Sequence, residues 1–121
     1  MYFKYKVMIE LTLPYYGLTF YKKENGSFNV QSSNHRSLAI YIYIYRYKED
    51  VQMLLSDINL ALSGQFNQIE DPSWGGDLGG DVYSGIINSN ITFTVLTDYD
   101  SIDYPLLDIQ NIFTSWLAFI S

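Results

Sequence analysis

One histidine, no cysteine and thirteen carboxylates are what this 121-residue chain offers to acid–base, nucleophilic or metal chemistry. His35 sits between Asn34 and Arg36 in a polar stretch and reads as a solvated loop histidine. There is no thiolate for it to activate, and no serine stands in a nucleophile elbow. Paired carboxylates are enough for glycoside hydrolysis, but thirteen acids in a small chain make many accidental pairs. Residues 98–103, Asp-Tyr-Asp-Ser-Ile-Asp, begin like a calcium loop. Ile102 stands where a ligand belongs, the required glycine is missing, and Ile109 takes the place of the bidentate glutamate. The segment reads as an acidic turn capping the last helix. Residues 75–81 have the glycines of a phosphate cradle but no lysine and no preceding predicted strand, and their carboxylates repel phosphate. The reading is a non-enzyme with no catalytic residue, no metal site and no cofactor.

Binding is better served. Residues 70–81, Glu-Asp-Pro-Ser-Trp-Gly-Gly-Asp-Leu-Gly-Gly-Asp, hold four of the eight glycines, four acids and one of two tryptophans. So much glycine resists helix, because each residue loses too much backbone freedom. The segment reads as a mobile acidic loop with an aromatic anchor, a reasonable protein-binding surface. The candidate partner-binding residues are Glu70, Asp71, Trp74, Asp77 and Asp81, with Asp98, Asp100 and Asp103 in the neighbouring turn. Trp74 is the expected anchor and the aspartates are the expected partners of Lys or Arg.

The net charge of −6 argues against direct nucleic-acid binding, which needs a dense cationic face. It also rejects a base-stacking role for the tyrosines at 41, 43, 45 and 47, and it suits a basic protein partner. With no cysteine, no uninterrupted apolar leader and no apolar run long enough to span a bilayer, the chain is expected in the cytoplasm, away from membranes.

These residues need elements to hold them. Phe3, Tyr5, Val7, Ile9, Leu11 and Leu13 alternate with polar positions as a half-buried strand that Pro14 ends. Two short strands flank Asn25-Gly26, a strong hairpin signal. In residues 38–47, Leu38, Ile40, Ile42 and Ile44 share one strand face while Tyr41, Tyr43, Tyr45 and Tyr47 share the other. A central strand is predicted there, its isoleucines facing the core and its tyrosines partly covered by side chains of neighbouring strands. Val51, Leu54, Leu55, Ile58 and Leu62 recur at helical spacing behind Glu49 and Asp50. Residues 82–87 and 91–97 read as strands. A second helix begins with Pro105 in its first turn and carries Leu106, Ile109, Phe113, Trp116 and Ile120 as an apolar stripe that must lie on the sheet. The expected architecture is one α+β domain over residues 1–121. It has an antiparallel sheet of about six strands with two helices, in the order β-β-β-β-α-β-β-α.

The stretch from Gly79-Gly80-Asp81-Val82-Tyr83-Ser84-Gly85 through Ile91-Thr92-Phe93-Thr94-Val95 to Pro105–Phe113 and Trp116-Leu117 resembles small bacterial immunity proteins of polymorphic toxin systems, including contact-dependent growth inhibition. In several such families a Gly-rich segment enters a late strand pair and the terminal helix ends in Trp plus an apolar residue. The resemblance implies a cytosolic protein that blocks one cognate toxin domain. Many such toxins are nucleases acting on tRNA, with basic phosphate-binding clefts that an acidic inhibitor's carboxylates would fill. Two other readings stand beside it: a small-ligand or adaptor domain with a tyrosine-lined groove, and a carboxylate-based hydrolase.

Overall fold

Alternation in the N-terminal segment and the turn signal that follows produce a three-stranded antiparallel sheet. It consists of β1 (Val7–Leu13), β2 (Leu18–Lys23) and β3 (Phe28–Ser32), in the order β1-β2-β3. The computed structural model describes residues 7–13, 15–78 and 81–121; Phe3, Tyr5, Pro14, Gly79 and Gly80 of the sequence reading lie outside them. The β2–β3 turn uses Gly26 at φ +90°, a region an L side chain rarely enters. Asn25 Oδ1 accepts the Ser27 backbone N–H. A 3₁₀ turn, Tyr15–Gly17, joins β1 to β2.

The central strand expected at residues 38–47 is instead α1 (Arg36–Ile44). Alternation was misleading here because both strand faces were apolar, so a period of two carried no information about which side is buried. The same residues hold a helical stripe: Leu38, Tyr41, Ile42 and Tyr45 fall at i, i+3, i+4 and i+7, and all are buried. Tertiary burial outweighs the strand preference of Ile and Tyr. The tyrosine row divides accordingly, with Tyr41 and Tyr45 buried, Tyr43 half-buried and Tyr47 exposed. After a corner at Tyr45–Tyr47, α2 (Lys48–Leu62) follows as expected, with Glu49 and Asp50 in its first turn. The corner leaves the Tyr45 carbonyl, and the Trp116 indole N–H donates to it at 2.6 Å.

The second half is a four-stranded antiparallel meander of β4 (Ser73–Leu78), β5 (Asp81–Ile87), β6 (Thr92–Thr97) and β7 (Ser101–Pro105). Three expectations are corrected here. Residues 73–78 are not a loop: they pair with β5 in regular register, because the ladder β5 offers outweighs the low strand preference of Gly75 and Gly76. Residues 101–103, read as part of an acidic turn, begin β7 instead. Pro105 ends β7 and caps α3 (Leu106–Ile120) rather than entering its first turn.

The fold is α+β with antiparallel sheets, as expected. Its order is β-β-β-α-α-β-β-β-β-α over the described residues, with two sheets in place of one. α1 packs against β3 and against β4, β5 and β6, so it bridges the two sheets; α3 lies on α2, β6 and β7. One hydrophobic core joins them. Trp116, Phe113, Tyr41, Phe20 and Phe93 are all fully buried, and Phe20 meets Trp116 edge-on at 5.0 Å. Gly85 is where α1 comes closest to the sheet: a Cβ there would overlap Tyr41 Oη and Phe93 Cζ.

Candidate functional site

The meander decides where the acidic residues go. The β4–β5 and β6–β7 connections leave the sheet at one end, while the β5–β6 turn and the entry to β4 occupy the other. Pairing of Asp77 with Val82, Leu78 with Asp81 and Tyr83 with Thr97 brings Asp77 and Asp81 to the end that carries Asp98 and Asp100. Glu70 and Asp71 precede β4 and lie at the opposite end, where Asp71 Oδ1 accepts the Ser73 backbone N–H. Asp103 pairs with Thr94 on the open face and accepts its hydroxyl at 2.5 Å. The eight candidates therefore form no single patch; the backbone positions of four aspartates share one end.

Trp74 belongs to the other side of the sheet. It lines up across the strands with Gly85, Val95 and Ile102, and Val95 is fully buried, so this row faces the core. The indole is half-buried against that core, and its Nε1 is buried with no hydrogen-bond partner among the described residues. Its backbone carbonyl accepts the Tyr41 hydroxyl at 2.8 Å. A strand must alternate, and that alternation turns the expected anchor inward.

Three apolar side chains missed by the sequence reading are exposed at the acidic end. Tyr99, at the tip of the β6–β7 turn, is 85% exposed; Val82 is 47% and Leu96 41% exposed on the open face. Thr97 holds the turn rigid: its hydroxyl oxygen accepts the backbone N–H groups of Tyr99 and Asp100, both at 3.1 Å, and its proton goes to Asp100 Oδ1 at 2.7 Å. Ser37 of α1 also reaches the Asp100 carboxylate, at 3.3 Å. Exposed apolar side chains beside the exposed Asp98 and Asp100 have the composition of a protein interface. The signal that could have found it was the aromatic between two aspartates in Asp98-Tyr99-Asp100.

His35 is not a solvated loop residue. It is half-buried at the head of α1, with Tyr16 edge-on at 5.0 Å, and its Nδ1 lies 3.2 Å from the Tyr104 hydroxyl. Tyr16 adopts φ +69°, strained for a non-glycine residue, and donates its hydroxyl to Asp108 Oδ2 at 2.5 Å. These contacts tie the β1–β2 connection to the heads of α1 and α3. Burial, with Asp100 adding to it, raises the Tyr104 pKa. Tyr41 and Tyr45 share a hydroxyl–hydroxyl bond of 2.7 Å inside the core. Burial holds Tyr41 well above the usual phenol range and pushes Tyr45 up to about 12.

In comparisons with known proteins, no family model, no curated protein and no solved structure matches the chain. Among the described residues, no helix is long and apolar enough to cross a membrane.

Proposed function

We propose that this protein is a cytoplasmic immunity protein. It binds a basic cognate toxin domain, of the (t)RNA nuclease kind, and occludes it without catalysing a reaction of its own. The observation that carries this reading is the composition of the acidic sheet end. Tyr99 stands on a structured turn between Asp98 and Asp100, beside exposed Val82 and Leu96 and the backbone positions of Asp77 and Asp81. Tyr combines contact area with few rotors, so presenting it on a rigid turn lowers the entropy lost on binding. Carboxylates around it supply the field that speeds encounter with a cationic surface and rejects acidic competitors. Tyr99, and not Trp74, is the anchor in this reading.

Affinity capture from the source cell, followed by co-expression with the captured domain, tests it. The chain should restore growth to cells expressing that domain. Tyr99→Ala should lose the protection while remaining folded, and Asp98→Asn combined with Asp77→Asn should weaken it in a salt-dependent way. A captured partner with no toxicity, or full protection by Tyr99→Ala, defeats the proposal.

A further inference from the structure

A shallow groove of about 590 Å³ crosses the open face of the four-stranded sheet toward the β5–β6 turn. Phe66, Pro72 and Ile86 supply apolar surface, and Asn88, Thr94 and Asp103 supply polar atoms. The hydrogen bonds along it have a fixed direction. A carboxylate cannot donate, so the Thr94 hydroxyl must give its one proton to Asp103 Oδ1, at 2.5 Å. Thr94 Oγ1 is then an acceptor toward Asn88, whose Nδ2 donates to it at 2.9 Å and to Thr92 Oγ1 at 3.1 Å. Thr92 passes its own proton on to Asn90 Oδ1 at 2.6 Å. The side-chain donors of Asn88, Thr92 and Thr94 are thus all consumed within the network. At the Asp103 end only acceptors remain: Asp103 Oδ2 and Asn88 Oδ1, neither with a partner among the described residues. Ser89 and Asn90, which keep donors, sit at the far rim by the turn.

The turn that sets Asn88 is itself strained. Ile91 has φ +59°, an outlier for a β-branched residue. Three backbone bonds hold it: Ile91 N–H to Asn88 O at 3.1 Å, Asn88 N–H to Thr92 O at 2.9 Å, and Leu106 N–H to Ile91 O at 3.0 Å. Strain of this kind persists only where the surroundings over-determine it.

A site with acceptors at its polar end and apolar walls beside them selects its ligand by chemistry. Its Asp103 end offers an anion nothing, and cannot serve a group that needs both donors and acceptors there. A guanidinium has five donors in a plane, no acceptor and weakly hydrated faces that lie well on aromatic surface. We propose that this groove receives an arginine side chain of the protein's partner, paired with Asp103 and Asn88 and laid against Phe66. The identity of the arginine's owner rests on the immunity reading above; the groove's preference for guanidinium does not. On the open face, the Asp103 row and the Val82 position are four residues apart in register, about 14 Å along the strands. A partner with its arginine in the groove therefore extends over Leu96 toward Tyr99, covering both features at once.

The test uses no toxin. The isotope-labelled protein is titrated with N-acetyl-arginine amide, with its lysine counterpart and with the uncharged citrulline compound, and the Asn88 side-chain amide resonances are followed. Arginine should shift them saturably and bind about tenfold tighter than lysine, with citrulline weaker still. Asp103→Asn keeps the acceptor that Thr94 needs and should weaken arginine about tenfold; Phe66→Leu should weaken it several-fold. Equal binding of lysine and arginine, arginine binding unchanged in Asp103→Asn, or no response at Asn88 overturns the inference. Any of these leaves the immunity reading standing, because that is read from growth protection. A failure of protection alongside selective arginine binding removes the toxin and keeps the groove.

Discussion

Single side chains carry unequal loads in this fold. Ile91 sits in left-handed space at a solvent-facing turn and contributes no core contact, so its conformation costs about 1 kcal/mol or more that glycine would not incur. Ile91→Gly should therefore raise the midpoint of denaturant unfolding. An unchanged or lower midpoint would mean the side chain has a stabilising contact at the turn. Trp116 and Phe113 are the opposite case, fully buried, Trp116 against Phe20 of β2 and Phe113 against Tyr41 and Tyr45. Truncating either to Ala should cost about 3–5 kcal/mol. Trp116 carries an additional penalty, because its indole satisfies the orphan Tyr45 carbonyl between α1 and α2. Trp116→Phe isolates that hydrogen bond and should cost about 1–3 kcal/mol in the same measurement.

Elements differ in how plainly the chain announces them. The β2–β3 hairpin was legible because Asn25-Gly26 admits few other conformations. α2 and α3 were legible because each has one apolar stripe and one polar face. α1 was not, since a segment of isoleucine and tyrosine without a polar side satisfies both periods, and only the helical stripe that the sheet buries distinguishes them. β4 was hidden for another reason: glycines say nothing in favour of pairing, and the strand exists because β5 lies beside it. The acidic sheet end was half legible. Its aspartates were named from charge alone, yet Trp74, expected to be presented beside them, packs toward the core, because which face of a strand is solvated depends on a strand not foreseen. Gly85 records the α1 packing in a testable way. Gly85→Ala drives a methyl into Tyr41 and Phe93 and should cost about 3 kcal/mol, separating α1 from the sheet. A near-neutral effect in thermal unfolding would contradict the close approach of helix and sheet.

For the molecule as a whole, the buried hydroxyl pair sets an alkaline limit. Tyr41 and Tyr45 hold their protons more tightly folded than unfolded, where the phenol value is 10.0. Above that value the unfolded chain binds fewer protons, so their contribution is fully present below pH 10 and is lost as pH rises through about 12. Alkaline titration should show the buried pair ionising only together with loss of tertiary signal. Early, non-cooperative ionisation of Tyr41 and Tyr45 with the fold intact would sink this.

The meander has a kinetic consequence. Within both sheets every strand pairs with its neighbour in sequence, so each ladder can close through a short turn at small entropic cost. Among the described residues it is chiefly α1 and α3 that join distant parts of the chain, and α3 supplies Leu106, Ile109, Ile112, Phe113 and Trp116 to the core. Hairpins should therefore form early and reversibly, while commitment waits for α3 to dock. In pulsed hydrogen exchange during refolding, amides of β5 and β6 would gain partial protection before those of α1. During synthesis, the nascent chain would hold paired strands over an unfinished core until α3 is made, and the open face of the sheet would be present before the fold is stable.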